Sequence, residues 1–300
     1  MTIIRYGLAL ALAGVLLLSL MGFLGDWPAD MLTPFRLQFL LIGLAGLCIA
    51  LPSRRLWLTG LAALVIAGNA LPMATRLLER PVLARQAAGT RISLVFSNVL
   101  CDNRQFDRVT ALARNQDADL FAAAETTGDW VDHLDSLRDL YPYRFAPKNL
   151  GPFGVALYAK RPFSAEIMPT GTRGMQLLRA DFGDKVVYVV HTMPPANPVL
   201  SADNRVFLET VAARVSTETK PVIVVGDFNA TLWSHNMRPV IQAGLQWPAG
   251  SGVRYSWPTQ RPWFAIQIDQ VLTRGAKAGA YRTLGDIGSD HYPVRADLVF

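Results

Sequence analysis

The chain has 300 residues, of which 51% are hydrophobic and 17% charged, with a formal net charge of +6 and two cysteines. This composition excludes a disordered chain, and two cysteines exclude a disulfide-stapled scaffold of this size. Soluble proteins average about 45–50% apolar and about 25% charged residues, so this chain is either an unusually apolar globule or a protein partly embedded in a membrane.

The charge is unevenly distributed along the chain. Residues 1–90 contain seven basic and three acidic residues, whereas residues 91–300 contain 22 basic and 20 acidic ones. A net charge of +4 therefore lies in the first third and only +2 in the remainder. Nucleic-acid binding depends on many Lys and Arg contacts to phosphate, so the weak charge of residues 91–300 disfavours a nucleic-acid partner.

Three charge-free apolar stretches occupy the first third: Tyr6–Gly25, Leu37–Ser53 and Leu56–Thr75. At about 1.5 Å per helical residue, each is long enough to cross most or all of a bilayer core of about 30 Å. We predict three transmembrane helices that form an anchor over 1–75, followed by a linker over 76–90. Buried core helices are the alternative for all three stretches, and a cleaved signal peptide is the alternative for the first.

The flanking arginines indicate an orientation for these spans. Arg5 and the Arg54–Arg55 pair lie on the same side of three spans, and cytoplasmic loops carry an excess of basic residues. The N-terminus is then inside, and an odd number of spans places residues 91–300 outside the cytoplasm. Three arginines after the third span, within 76–85, count against this orientation.

Residues 91–300 show short apolar runs separated by turn signals, which is typical of strands. The predicted strands are Arg91–Asn98, Ala118–Glu125, Gly154–Tyr158, Leu177–Phe182, Lys185–His191, Val222–Asp227 and Ile268–Leu272. Helical spacing of apolar residues predicts helices over Gln105–Asn115 and Asp203–Val215. Strands outnumber helices and some are hairpin neighbours, so the pattern favours a mixed α/β sandwich of sheets.

Several of these apolar strands end in a polar side chain. The residues are Asn98, Glu125, His191, Asp227 with Asn229, Asp269, and the Asp290–His291 pair. Burying such groups without partners costs several kcal/mol each, so we expect them to meet around a cation. Oxygen ligands favour Mg²⁺ or Mn²⁺, which together with imidazoles is typical of phosphoester cleavage. Taken singly, each residue is more often a turn former, a helix cap or a satisfied core histidine.

In order and spacing, the set resembles the endonuclease/exonuclease/phosphatase superfamily, which includes DNase I and the sphingomyelinases. The resemblance covers residues 91–300, the predicted catalytic domain. It depends on the motifs Phe96–Val99, Ala122–Glu125, Gly154–Tyr158, Val190–His191, Gly226–Ala230, Ile268–Leu272 and Gly288–Val294. It implies a DNase I-like four-layer α/β sandwich with the site at one edge of its two sheets.

The resemblance also implies a role for each residue of the set. Glu125 is expected to be the principal ligand of Mg²⁺ or Mn²⁺, with Asn98 and Asp290 adjacent to the ion. Water is expected to attack the phosphate directly, without a covalent intermediate.

The remaining residues are expected to act on the water and the phosphate. Asp227 would orient or deprotonate the water, with Asn229 as its positioning partner. His291, held by Asp269, and His191 would contact the phosphate. Ala124 and Leu100 depart from the family pattern, where Gln and an acidic residue are common, and this puts a two-metal variant in doubt.

Three apolar spans followed by this domain, with Ser256–Thr259 shortly before Ile268, are similar to the bacterial membrane family named for glycopeptide (vancomycin and teicoplanin) resistance. This implies a multi-pass protein of the bacterial inner membrane that acts on envelope lipids such as polyprenyl pyrophosphate or phospholipid. The expected partners are the bilayer and a lipid phosphate. A membrane-anchored Mg²⁺-dependent nuclease and a non-catalytic membrane scaffold are the alternatives, and the oligomeric state stays open.

A cluster of aromatic residues precedes Asp269. Its members are Trp247, Tyr255, Trp257, Trp263 and Phe264. They form either a rim at the bilayer interface, where Trp and Tyr are favoured, or a loop packed by its own side chains.

Overall fold

A computed structural model describes residues 2–25, 27–78, 87–148, 151–172, 174–248 and 254–300. The first of these form a helical region of four helices: α1 (Thr2–Met21), α2 (Trp27–Leu32), α3 (Arg36–Ala50) and α4 (Leu56–Leu78). Short 3₁₀ turns at Thr33–Phe35 and Leu51–Ser53 precede and follow α3. The linker predicted over 76–90 lies largely outside the described residues, although α4 continues through its first three positions.

Helices α1, α3 and α4 pack against one another through small residues. A Cβ added at Gly46 of α3 would lie 2.7 Å from Leu12 Cδ2 of α1, so the buried Leu12 side chain packs directly onto this glycine. Asn69 Nδ2 of α4 donates to Ser19 Oγ of α1 at 2.8 Å, which satisfies a buried polar pair. The outer faces stay exposed and apolar, with Leu10, Leu17, Leu41, Leu64 and Leu71 among the exposed side chains.

The prediction of three membrane spans is wrong by one. Among the described residues, two helical stretches are long and apolar enough to cross a membrane: Trp27–Ser53 and Leu56–Thr75. The apolar part of α1, Tyr6–Met21, is shorter, because the helix ends before a turn at Gly25, where φ is +76°. Such a segment spans about 24 Å, less than the hydrocarbon core of about 30 Å. Two candidate spans are an even number, which removes the premise of the predicted orientation.

Residues beyond α4 form two β-sheets, as predicted. One sheet has the order β10-β11-β1-β2-β4-β3, and the other has the order β5-β6-β7-β8-β9. The strands of the first are β1 (Arg91–Asn98), β2 (Leu120–Ala124), β3 (Tyr143–Phe145), β4 (Val155–Ala159), β10 (Ala278–Thr283) and β11 (Val294–Val299). Those of the second are β5 (Ser164–Met168), β6 (Leu177–Asp181), β7 (Val186–His191), β8 (Val222–Asp227) and β9 (Asp269–Arg274).

The sheets pack face to face, and helices cover their outer faces. Phe96 and Ala122 of the first sheet meet Val189 and Val225 of the second in a buried apolar layer. The outer face of the first sheet packs against α5 (Phe106–Gln116) and α6 (Gly128–Leu134). That of the second packs against α7 (Pro198–Thr217) and α8 (Arg238–Gln242). The fold is therefore the α/β sandwich expected of a DNase I-like protein.

The helical region contacts the sandwich directly. Asp30 of α2 is buried and pairs with Arg205 of α7, with Oδ2 and Nη2 2.8 Å apart. Trp27 Nε1 donates to Pro195 O at 2.9 Å, and Gln38 Nε2 of α3 donates to Ala265 O at 2.8 Å. These contacts fix α2 and the start of α3 beside the loops that follow β7 and precede β9.

Candidate active site

The strands place the predicted polar residues at one edge of the sandwich. β1 ends at Asn98, and Glu125 directly follows β2. In the second sheet His191 pairs with Asp227 in the parallel β7–β8 register, and Asp227 pairs with Asp269 in the antiparallel β8–β9 register. Residues paired across neighbouring strands project from the same face of a sheet, so these three side chains form one row.

A buried acidic group lies at the centre of this edge. Asp227, Asp269 and His291 each offer a ligand atom, and these atoms lie within 4.8 Å of one another. His291 Nδ1 lies 2.9 Å from Asp269 Oδ2, and His291 Nε2 lies 3.7 Å from Asp227 Oδ2. The imidazole thus stands between two carboxylates that come from neighbouring strands.

Asn98 links the two sheets at the site. Its Nδ2 donates to Glu125 Oε1 at 3.0 Å and to Asp227 Oδ2 at 3.2 Å, while its Oδ1 accepts from Leu100 N at 3.1 Å. In this orientation the amide group offers donors to the carboxylates, and its oxygen serves the turn after β1. Asn98 therefore holds Glu125 and Asp227 together.

Glu125 is held by the turn that follows β1. Its φ is +59°, a conformation that costs energy in a residue other than glycine and that clusters at functional sites. Burial would raise the pKa of Glu125, but hydrogen bonds from Cys101 N–H, at 2.9 Å, and from Asn98 outweigh it and lower that pKa. The Glu125 carboxylate is thus charged, and these two hydrogen bonds fix its orientation.

The turn after β8 brings Asn229 back onto Asp227. Asn229 N donates to Asp227 Oδ1 at 2.8 Å, and Asn229 Nδ2 donates to Thr192 O at 2.8 Å. A Cβ at Gly226 would lie 1.9 Å from Val190 O, so only glycine allows this approach of β8 to β7. Asn229 thereby fixes one oxygen of Asp227 and leaves the other facing Asn98 and the histidines.

The two histidines differ in charge. Burial lowers the pKa of His191 to about 4, so this imidazole is neutral at physiological pH. Burial disfavours a charged His291 too, but the charges of Asp269 and Asp227 outweigh it and raise the pKa of His291 to about 10. Burial and the charge of Asp269 raise the pKa of Asp227 to about 7. The site thus holds one cationic and one neutral imidazole.

Asp290 is positioned by an aromatic residue from outside the acidic group. Trp257 Nε1 donates to Asp290 Oδ2 at 2.9 Å, and the Trp257 and His291 ring centroids lie 6.4 Å apart. Trp257 belongs to the Ser256–Thr259 motif, but nothing in the sequence indicated its contact with Asp290. Of the aromatic cluster, Trp247 is buried in the core and Trp263 and Phe264 are exposed.

Two serines also support the site and were missed as functional residues. Ser289 Oγ donates to Asn98 O at 2.8 Å and accepts from His291 N at 3.1 Å. Ser256 Oγ accepts from Asp269 N at 3.1 Å. Both serines lie within sequence motifs, and this was the only feature of the sequence that could have indicated their role in the site.

The residues present fit a divalent cation. The compact group brings the Asp227 and Asp269 carboxylates together, and Asp269 Oδ1 and Asp290 Oδ1 are buried without a hydrogen-bond partner in the described part of the chain. Carboxylate oxygens are the ligands that Mg²⁺ and Mn²⁺ prefer. This compact group is not the predicted ligand set of Glu125, Asn98 and Asp290, which stays a prediction.

Comparison with known proteins agrees with this fold. The Endonuclease/Exonuclease/phosphatase family matches residues 95–291. D. rerio TDP2, in complex with a single-strand DNA product, superposes with a TM-score of 0.57 at 19% identity, over 70% of this chain and 100% of that one. Sphingomyelinase C from Streptomyces griseocarneus gives 0.56 at 16% identity, over 69% and 99% of the two chains.

A third similar structure contains a metal. A mutant of beta toxin from Staphylococcus aureus with bound magnesium ions gives a TM-score of 0.55 at 15% identity, over 69% of this chain and 99% of that one. At such identities the structures establish a shared fold. No curated protein matches the chain in sequence.

Proposed function

Because the chain belongs to the endonuclease/exonuclease/phosphatase family, we propose that it is a membrane-attached, divalent-metal-dependent phosphoesterase. Its proposed substrate is a phosphate ester or pyrophosphate carried by an envelope lipid. One observation supports the lipid in particular: helices with exposed apolar faces are fixed against the sandwich next to the acidic edge. The narrower similarity to the glycopeptide-resistance membrane family is part of this proposal.

The proposed chemistry is attack of water on phosphorus. Glu125 and Asp290, with the neighbouring carboxylates, would hold a divalent cation, which would supply positive charge that neutralises the phosphate. Asp227 accepts a hydrogen bond from the attacking water and takes its proton. Asn229 N–H keeps the Asp227 carboxylate in the orientation that this requires.

The histidines act on the phosphate oxygens in this proposal. His291, kept protonated by Asp269 and Asp227, donates a charge-assisted hydrogen bond to an oxygen that gains negative charge in the transition state. His191, which is neutral, donates from one ring nitrogen without adding a charge. Asn98 holds Glu125 and Asp227 at a fixed separation while the charge changes.

The substrate is tested with the full chain purified in detergent. Polyprenyl pyrophosphate, phospholipid and DNA are offered separately, each with Mg²⁺, with Mn²⁺ or with EDTA. We expect phosphate or phosphorylated headgroup to be released from a lipid with metal and not with EDTA. DNA nicking without cleavage of any lipid would instead support the anchored nuclease, and no cleavage of any substrate would support the scaffold.

The site is tested by substitution of its central residues. We expect Asp227→Asn and His291→Ala each to lower kcat by about 10²–10⁴-fold, the usual contribution of a positioned proton-transfer group. Asp132→Asn, at an exposed carboxylate on α6, is the matched control and should leave kcat unchanged. Full activity of either site variant would overturn the assignment.

Membrane attachment is tested separately from catalysis. We expect the full chain to remain with membranes after carbonate washing. Reporters fused after Phe300, one active only in the cytoplasm and one only outside it, identify the side on which the sandwich lies. A chain released by the wash would contradict membrane attachment without bearing on the acidic site.

A further inference from the structure

A cavity of about 220 Å³ lies between the helical region and the acidic site. Met31, Pro34 and Phe35, from α2 and the turn after it, form one wall. The opposite wall belongs to the sandwich and includes Trp257 and Ile268. A water molecule occupies about 30 Å³ in the liquid, so the cavity accommodates a ligand segment several carbon atoms long.

The walls of this cavity offer few partners to a polar ligand. Asp30 and Asn229 are the only polar residues among the described residues that line it. Asp30 Oδ2 is already paired with Arg205, and the Asn229 side-chain N–H donates to Thr192 O, so Asp30 Oδ1 is the one carboxylate oxygen of the described lining that has no partner. Away from Asp30, a hydroxyl, amide or nucleobase edge placed against these walls would lose its hydration without replacement, which is costly. The Asp30 carboxylate also disfavours an anionic group inside the cavity.

The same cavity adjoins the acidic site. Asn229 lines the cavity and donates through its backbone N–H to Asp227 at 2.8 Å. Trp257 also lines it and donates through Nε1 to Asp290 at 2.9 Å. A ligand whose phosphate lies at the acidic site therefore directs its next atoms into apolar surroundings.

Towards solvent, the cavity leads to exposed aromatic side chains. Phe35 of its wall packs edge-to-face against Phe264, with 5.5 Å between ring centroids. Phe264 is 54% exposed and the adjacent Trp263 is 71% exposed. The residue that follows them, Ala265, accepts a hydrogen bond from Gln38 at the start of α3. An apolar surface thus runs from the acidic site to the outer face of the helical region.

We propose that this cavity binds the hydrocarbon segment nearest the phosphate of a lipid substrate. The proposal rests on the function proposed above and narrows its substrate class: the phosphate is attached directly to an apolar chain, such as a prenyl or alkyl group. A nucleoside or a glycerol ester would place polar groups against Trp257 and Ile268. The helical region then contributes one wall of the substrate site as well as membrane attachment.

A pair of chromogenic esters tests the proposal. Dodecyl 4-nitrophenyl phosphate and ethyl 4-nitrophenyl phosphate share the phosphate and the leaving group and differ only in the chain. The full chain is assayed in lipid nanodiscs, because a detergent tail would compete for the cavity. Ala196→Phe narrows the cavity from its exposed rim, and Ala111→Phe, at an exposed position on α5, is the matched control.

We expect Ala196→Phe to raise the KM of the dodecyl ester, relative to that of the ethyl ester, by about tenfold, the loss expected from roughly two methylene groups that are no longer buried. Ala111→Phe should leave this ratio unchanged. If Ala196→Phe left the ratio of the two KM values unchanged, either because neither KM rose or because both rose equally, the proposal would be overturned.

A binding measurement separates this proposal from the proposed function. Dodecyl phosphate with a diazirine at its third carbon is photolysed with the wild-type protein, and the labelled peptides are mapped. We expect labelling of residues 31–35 and 257–268 that excess dodecyl phosphate, but not inorganic phosphate, suppresses. Labelling without hydrolysis would count against the proposed function alone. Labelling confined to other segments, or suppression by a nucleotide instead, would overturn the proposed cavity ligand.

Discussion

The buried pair between Asp30 and Arg205 should hold the helical region on the sandwich. Asp30 Oδ2 accepts from Ser201 Oγ and from Arg205 Nε at 2.9 Å, and Arg205 Nη2 lies 2.8 Å away as an ion-pair partner. Asp30→Asn keeps the shape and removes the charge. Hydrogen bonds to charged groups contribute about 1.5–3 kcal/mol. The Arg205 side chain is 31% exposed, so water replaces part of the interaction, and we expect a loss of about 2 kcal/mol.

A double-mutant cycle isolates this contribution. Asp30→Asn, Arg205→Gln and the double variant are unfolded with urea in mild detergent, with tryptophan fluorescence as the signal. The control is the same cycle for Arg104 and Asp129, which also pair at 2.7 Å but are 62% and 65% exposed. Exposed pairs contribute about 0.2–1 kcal/mol. If the Asp30–Arg205 coupling energy were no larger than that of the control, the reasoning from burial would be refuted.

Three further predictions address the metal, the acidic edge and the helical region. Removing divalent cations with EDTA should abolish hydrolysis and lower Tm, and adding Mg²⁺ should restore both, because a ligand that binds only the folded state stabilises it; an unchanged Tm in a calorimetric scan would argue against a cation bound at this edge of the sandwich. Trp257→Phe should lower kcat/KM by about tenfold by removing the hydrogen bond to the acidic edge, whereas Trp263→Phe, at an exposed ring, should not; steady-state kinetics that show equal effects would contradict the assigned contact. Gly46→Ala should destabilise the helical region by about 1–3 kcal/mol through the contact with Leu12, whereas Gly60→Ala, which has open space around it, should stabilise it by about 0.5–1 kcal/mol; thermal unfolding that does not separate the two variants would contradict the close approach of the helices.

The assembly of the acidic edge follows from local sequence features. The apolar runs predicted β1, β7 and β8, each of which ends in a polar residue. A polar side chain buried at such a strand end loses its hydration, and only contact with other polar side chains offsets that cost. This reasoning brought Asn98, His191 and Asp227 together without a structure. It did not reveal that Asn98 would bond both Glu125 and Asp227, because that contact depends on how the two sheets pack.

Other features depend on contacts between distant parts of the chain. Asp30 and Arg205 lie 175 positions apart, and neither stands in a motif, so their pairing had no sequence signal. Trp257 and Asp290 do stand in motifs, but they lie 33 positions apart and nothing in either motif indicates that they bond to each other. The first apolar stretch was overestimated because absence of charge was counted as helix through Gly22 and Gly25, although glycines after an apolar run are a usual sign that a helix ends.

The contribution of each sheet to the acidic edge has a consequence for how substitutions elsewhere will act. Asn98 and Glu125 belong to one sheet, and Asp227 and Asp269 belong to the other. The distance between these halves is therefore set by the apolar layer between the sheets, to which the small Ala122 and the branched Val225 both belong. Such residues act as spacers: enlarging one, without touching any polar group, changes how far apart the two sets of carboxylates stand. Substitutions in the core should thus impair catalysis before they unfold the protein.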